Sequence, residues 1–314
     1  MAGPRGAAEA SRASLTSPCT GLCRLDPASG FCLGCARSGE EIGLWGSASE
    51  AERAAIWNAL PARFDALGIA CRRLPLGAQE IRDFLITTLA GQRGTWVMGV
   101  PGAVAEFAAV PGETVRVRSD GATITAVTSG GRLRFLVDDA VRALSFDAAA
   151  ARGGPVVLAV TRERARPPLA TRLSDAGPDA GAIDPADRAD RLIDLGLGRK
   201  EARFCVRCAS GAARDVLRRA EGLRLPDSLP VIAPVLIAEG SPRVVETALG
   251  RIEVTTPIPP PDGRSPAGPH THLLPEHLAK GHPMPPGMEL PRAWLPGAIF
   301  YPDPRVSRAS GPAG

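Results

Sequence analysis

"TWVMGVPGAVAEFAAVPGETVRVRSDGATITAVTSGGRLRFLV", residues 95–137, decides the fold. Short runs rich in Val, Ile, Thr and Phe alternate with "PG", "PG", "SDG" and "SGG". Runs of this length suit strands, and β-branched residues fit a pleated surface. The glycines supply the positive φ that tight hairpins require. The stretch therefore predicts consecutive antiparallel strands. Just before it, "AQEIRDFLITTLAGQ" places Ile81, Phe84, Leu85 and Leu89 on one helical face. Further on, "PVVLAVTRE" predicts another strand. "RVVETALGRIEVTTPI" predicts a hairpin turning at Leu249–Gly250, with Ile252 and Val254 facing one way and Glu253 the other.

Residues 164–182 lack periodicity and are expected to form a loop. Asp184 and Pro185 carry the start signals of a helix that would run to Gly196. A second helix is expected across "RKEARFCVRCASGAARDVLRRAEG", placing Cys205 and Cys208 one turn apart in its middle. "LPVIAPVLIAEG" is expected to be a strand. Mixed in this way, residues 78–256 predict an α+β domain with an antiparallel sheet and a few helices. Residues 257–314 are Pro-rich and are expected to be an irregular C-terminal segment.

Toward the N-terminus the texture changes. Residues 1–16 are rich in Ala, Ser and Gly and predict a disordered tail. They hold no apolar signal-peptide core, and no apolar run of the chain is long enough to span a membrane. A cytoplasmic location is therefore expected, where clustered cysteines more often bind metal than form disulfides. The net charge of +4 is mild, and stretches such as "RVRSDG" and "RERARPP" are short, so surface arginines are expected rather than a nucleic-acid face.

Cys19, Cys23, Cys32 and Cys35 fall within "SPCTGLCRLDPASGFCLGC", four of the seven cysteines of a 314-residue chain. Two close pairs joined by a short loop allow four sulphurs to converge. Thiolates are soft ligands that suit a zinc ion or an iron–sulphur cluster. The helix that follows opens with a Ser49/Glu52 capping box and meets Pro61, which is expected to end or kink it. Residues 17–68 thus make one small four-cysteine metal-binding module with few large apolar side chains. Such a unit cannot offset its own chain entropy, whereas a structural metal can contribute on the order of 10 kcal/mol. Reduced thiols or two disulfides are the competing explanations.

"PHTHLLPEHLAKGHPMPPG" carries His270, His272, His277 and His282, all the histidines of the chain. His270 and His272 would share one side of an extended strand, a metal-binding arrangement. Glu276 or His277 could add a third ligand if the chain turns at Pro275. No HExxH helix is present. Cys71 is alone and expected to be inert, and Cys205 and Cys208 are expected to pack in a core, with a partial metal site as the alternative.

Two resemblances accompany these patterns. "SPCTGLCRLDPASGFCLGCARSGEEIGLW" followed by "SASEAERAAIWNALPARF" resembles the domain-of-unknown-function 1289 family over residues 17–66. The shared positions include Ser17, Pro18, Gly21, Asp26, Gly30, Gly34, Arg37, Glu41, Trp45, Ser49 and Glu52. Members are described as predicted iron–sulphur proteins, which implies Cys19, Cys23, Cys32 and Cys35 as ligands. "LGRIEVTTPIPPPDGRSPAGPHTHLLPEHLAKG", with "GAVAEF" and "IDLGLG", is similar to the domain-of-unknown-function 6925 family over residues 80–305. That likeness implies no activity. It implies that two separately occurring units are fused. The resulting expectation is a metal-binding protein whose four-cysteine centre serves interaction with a protein partner or redox sensing. The alternative is a metal-dependent enzyme working at the histidine cluster.

Overall fold

A computed structural model of the chain describes residues 16–146, 154–258, 266–282 and 284–303. Residues 1–15 of the tail expected over 1–16 lie outside the described residues. After a short β1 (Arg72–Arg73), the strands of residues 95–137 form as expected. They are β2 (Gly94–Val100), β3 (Ala103–Phe107), β4 (Arg116–Asp120), β5 (Thr123–Val127) and β6 (Gly131–Leu136). They do not stay in one sheet, because two antiparallel sheets share the chain. With β7 (Arg142–Ser145), β8 (Val156–Thr161), β14 (His270–Leu273) and β15 (Trp294–Pro302), a seven-stranded sheet has the order β1-β7-β8-β15-β2-β3-β14. The rest are β9 (Ser174–Pro178), β10 (Arg191–Asp194), β11 (Ala202–Cys208), β12 (Arg243–Thr247) and β13 (Gly250–Val254). They complete an eight-stranded sheet of order β4-β5-β6-β13-β12-β11-β10-β9. With its helices, the fold is α+β.

The sheets pack face to face, with β2 and β3 against β11, β12 and β13. Alternation explains the layer between them. Trp96, Met98 and Val100 of β2, Ala103, Ala105 and Phe107 of β3, and Ile252 and Val254 of β13 point into one buried cluster. Helix α3 (Ala78–Ala90) buries Ile81, Leu85 and Leu89 in the same cluster. Phe84 meets Trp96 and Phe300 edge to face.

Five expectations are corrected. The stretch 164–182, expected as a loop, holds the strand β9, which pairs with β10 at the edge of the eight-stranded sheet. The segment predicted as a helix from Asp184 to Gly196 makes only a 3₁₀ turn at Pro185–Ala189, capped by Asp184, and then becomes β10. The segment around Cys205 is not a helix but the strand β11, followed by helix α4 (Gly211–Arg219). Arg203 and Arg207 are four apart, which looks helical. On a strand they share one face, and there they pair with Asp194 and Asp179. Arg207 and Arg251 are buried together with Asp179 and Glu253, with Arg251 Nε 2.6 Å from Glu253 Oε1. This ion-pair layer allows arginines inside a strand.

"LPVIAPVLIAEG" is not a strand. It lies in helix α5 (Leu225–Ala238), which runs through Pro230 and Pro234. Leu225, Ser228, Ile232 and Leu236 make its buried stripe, while Pro226, Pro230 and Pro234, four residues apart, all face solvent. Carbonyls that lose a partner to proline are thus left beside water. Finally, the C-terminal segment is not irregular throughout. β15 is an inner strand of the seven-stranded sheet, between β8 and β2, and its register shifts between Pro296 and Ala298. That irregularity is where a proline can enter an inner strand.

Candidate functional sites: a cysteine centre and a histidine–carboxylate group

Ahead of the sheets lie helix α1 (Gly39–Leu44) and helix α2 (Glu50–Ala66). Ser38 caps α1 with Glu41 in a capping box, and Ser49 caps α2 with Glu52. The expected interruption at Pro61 does not occur, because Pro61 is exposed and α2 continues to Ala66. The apolar cluster here is small: Ala36, Leu60 and Phe64 are buried in it, with Ile56, Trp57, Leu67 and Ile69 packed around them. The module rests on the larger body through Trp294 of β15, whose Nε1 donates to the Thr20 carbonyl at 2.5 Å.

The cysteine loop is shaped by backbone bonds. Asp26 caps a turn with Ser29 and Gly30, and Leu25 bridges Cys32. The Ala36 N–H donates to the Cys32 carbonyl at 2.7 Å. Ala36 holds a φ of 55°, unusual for a residue with a Cβ, and it is buried against the short core. Gly34 is required for a different reason. A Cβ there would lie 2.2 Å from the Leu22 carbonyl oxygen. Its N–H donates to Cys32 Sγ at 3.4 Å, and the Gly21 N–H donates to Cys19 Sγ at 3.3 Å. Arg37 Nε reaches Cys35 Sγ at 3.5 Å.

Cys32 and Cys35 are buried, Cys19 is half-buried and Cys23 is exposed. The nearby Cys19 sulphur, then burial, raises the Cys23 pKa, and burial raises that of Cys35. For Cys32, burial alone would also raise the pKa, but backbone groups of Gly34, Arg24 and Cys35 outweigh it. Two buried arginines stand beside this loop. Arg37 Nη1 and Arg73 Nε have no hydrogen-bond partner. Burial, then the charge of Arg142, pushes the Arg73 pKa down to about 9, while the Cys19 sulphur opposes that shift.

The remaining cysteines are separate from this loop. Cys205 and Cys208 are on opposite faces of β11, one beside Leu192 and Val244 and the other in the main core, so they do not form a pair. Burial pushes the Cys71 thiol up to about 12 and Cys208 up to about 11.

The second group sits on the outer face of the seven-stranded sheet. β14 pairs antiparallel with β3, placing His270 opposite Glu106 and His272 opposite Val104. His270 and His272 therefore share the outer face with Glu106. His270 Nε2 lies 3.1 Å from His272 Nε2 and 3.4 Å from Glu106 Oε2, and His272 Nε2 is 3.4 Å from Glu106 Oε1. His270 is buried, and its Nδ1 is 3.0 Å from the Gly268 carbonyl oxygen. A cavity of about 640 Å³ adjoins them, lined by Glu106, His272, Val97, Ile299 and Tyr301, with Met284 also in its wall. His277 lines the same cavity from helix α6 (Pro275–Ala279), but it is not one of the three converging groups. Glu276 is exposed beside it. Sequence reasoning missed Glu106. Its signal was a lone charge within the alternating apolar run "AVAEF".

The comparisons agree with this division. A model of the DUF1289 family, proteins of unknown function, matches residues 17–64, which span the cysteine loop, α1 and most of α2. No curated protein and no solved structure matches the chain. A model of DUF6925, a family of unknown function, matches residues 80–313, most of the chain and both sheets. The chain therefore belongs to the DUF6925 family and bears a DUF1289-like unit in front of it.

Proposed function

We propose that Cys19, Cys23, Cys32 and Cys35 together hold one metal centre, an iron–sulphur cluster or a zinc ion, and that the module carrying it is an interaction or redox-sensing unit for the DUF6925 body. The observation that carries this reading is the pair of buried, incompletely bonded arginines, Arg37 and Arg73, beside the sulphurs. A buried cation is costly unless an anion faces it. Four thiolates around Zn²⁺, or around a cluster, leave a net negative centre where these guanidinium groups stand. The N–H groups of Gly21 and Gly34 aimed at sulphur support the same charge.

The exposure of Cys23 supports the sensing or docking role, because the edge of such a centre would be open to solutes or a partner. Leu22, Leu25 and Leu44 of the same module are exposed apolar side chains that a protein partner could cover. The test is anaerobic purification of the full chain with a visible spectrum and elemental analysis. Iron with inorganic sulphide and a brown colour supports the cluster. About one zinc per chain, colourless and lost on Cys32→Ser substitution, supports zinc. A metal-free chain overturns the proposal.

A further inference from the structure

The geometry points to a second metal site, independent of the cysteines: a divalent transition-metal ion bound by His270 Nε2, His272 Nε2 and the Glu106 carboxylate. Three features carry it. The first is the spacing of the donors. With ligand bonds of about 2.1 Å, two donors of one ion lie about 3.0 Å apart at a right angle and about 3.4 Å apart at the tetrahedral angle. His270 Nε2 and His272 Nε2 are 3.1 Å apart, and each lies 3.4 Å from a different Glu106 oxygen, Oε2 and Oε1 respectively. One donor from each residue lies within 4.8 Å of the others, so a single ion can be reached by the two imidazoles and the carboxylate with a small rotation of the Glu106 side chain.

The second feature is orientation. His270 Nδ1 lies 3.0 Å from the Gly268 carbonyl oxygen, so in the Nδ1–H tautomer that this contact favours, the Nε2 lone pair is directed at His272 and Glu106. A backbone carbonyl holding the far nitrogen of an imidazole is the usual support of a metal-bound histidine. The antiparallel register supplies the rest, since period-two alternation puts both rings on the face of Glu106.

The third feature is the open side. Glu106 and His272 both line the cavity of about 640 Å³, whose other walls include Val97, Val100, Val104, Met284 and Ile299. Three protein ligands leave at least one coordination position free, and here that position borders the cavity. Two imidazoles and one carboxylate suit Zn²⁺ or Fe²⁺. An ion so held can take an oxygen donor from an organic molecule whose apolar part occupies the cavity.

The test uses Co²⁺ as the probe ion, added to the full chain after chelator treatment. Thiolate-to-metal charge-transfer absorption reports the cysteine centre, and ligand-field bands without it report the histidine site. Besides any Co²⁺ at the cysteines, the parent chain should take up one further Co²⁺ that adds ligand-field bands but no thiolate absorption. Azide, a small anion, should shift those bands by occupying the open position. His272→Ala and Glu106→Gln should each weaken this uptake on the order of 100-fold or more, beyond the 10–100-fold that loss of an outer-shell partner costs. Their thiolate absorption should not change. Glu106→Gln keeps the shape of the side chain and guards against a variant that merely misfolds, with circular dichroism confirming the fold. Equal uptake by the parent and the folded Glu106→Gln chain overturns the proposal. So does a parent whose bound Co²⁺ is all thiolate-ligated. Bands insensitive to azide overturn the open position.

Discussion

Replacing Arg37 by Met should change the stability of the protein in opposite directions with and without metal. Arg37 Nε is 3.5 Å from Cys35 Sγ, and its carbon Cζ stands 4.7 Å over the Trp45 ring. A full charge pair at 3.5 Å is worth about 5 kcal/mol at an effective dielectric of ~20. A centre of net charge −2 spreads that charge over four sulphurs, so the Cys35 contact carries about half of it, and the other sulphurs add smaller shares. Arg37→Met should then cost roughly 2–4 kcal/mol of metal affinity, or about 30- to 700-fold. In the metal-free chain the sign reverses. The variant loses a cation–π contact worth about 1 kcal/mol and a bond to Ser17 Oγ, but it removes a buried cation that has an unbonded Nη1 and stands near Arg73. The assay is competition of the reconstituted zinc form against a chromophoric chelator, with urea denaturation of the metal-free forms alongside. Unchanged zinc affinity, or a metal-free variant clearly less stable than its parent, would refute the role given to the guanidinium.

Thiol labelling at pH 8 in the folded chain should leave Cys71, Cys205 and Cys208 unmodified while Cys23 of the metal-free form reacts. With Cys71 pushed to about 12, only about one thiol in 10⁴ is ionised there, and mass mapping of the adducts checks it. For Glu41, burial alone would raise the pKa, but Arg63 at 2.6 Å and the Ser38 N–H lower it below 4.5. Its contribution to stability is therefore complete above the ordinary carboxylate range and is lost as pH falls through the lowered native value, so Glu41→Gln should flatten the acid limb of a pH–stability curve. Pro230→Ala should stabilise α5 by about 2 kcal/mol, the helix penalty of proline less its advantage in restricting the unfolded chain, read as a shift in the urea midpoint.

Local signals were legible in the sequence where one element satisfies itself. The Ser49/Glu52 box, the Ile81–Leu85–Leu89 stripe and the hairpins of residues 95–137 all formed, because each depends on neighbours a few residues away. Elements whose partners are distant misled it. β11 is buried on both faces and keeps Arg203 and Arg207 only because Asp194 and Asp179 meet them from elsewhere in the chain. Ala202, Phe204, Val206 and Cys208 do alternate with Arg203, Cys205 and Arg207, but two arginines on one face read as a solvated helix surface until their distant carboxylates are known. α5 was hidden by its prolines, although Leu225, Ser228, Ile232 and Leu236 repeat at helical spacing. β15 lies among Pro and Gly residues whose irregular register no local rule foretells. The same division holds at the sites. The four cysteines are one loop, so their spacing was visible. Glu106 is far from His270 along the chain, and only the pairing of β3 with β14 joins them.

The metal centre proposed at the four cysteines would hold residues 17–68 in their fold by tying the sulphurs together and answering the charge of Arg37 and Arg73. The decisive measurement is amide hydrogen exchange of the full chain, before and after metal removal under reducing conditions. α1, α2 and the cysteine loop should lose their slow exchange when the metal leaves, while β2, β15 and β12 retain theirs. Unchanged protection of α2 in a chain shown to hold no metal would contradict that role of the metal.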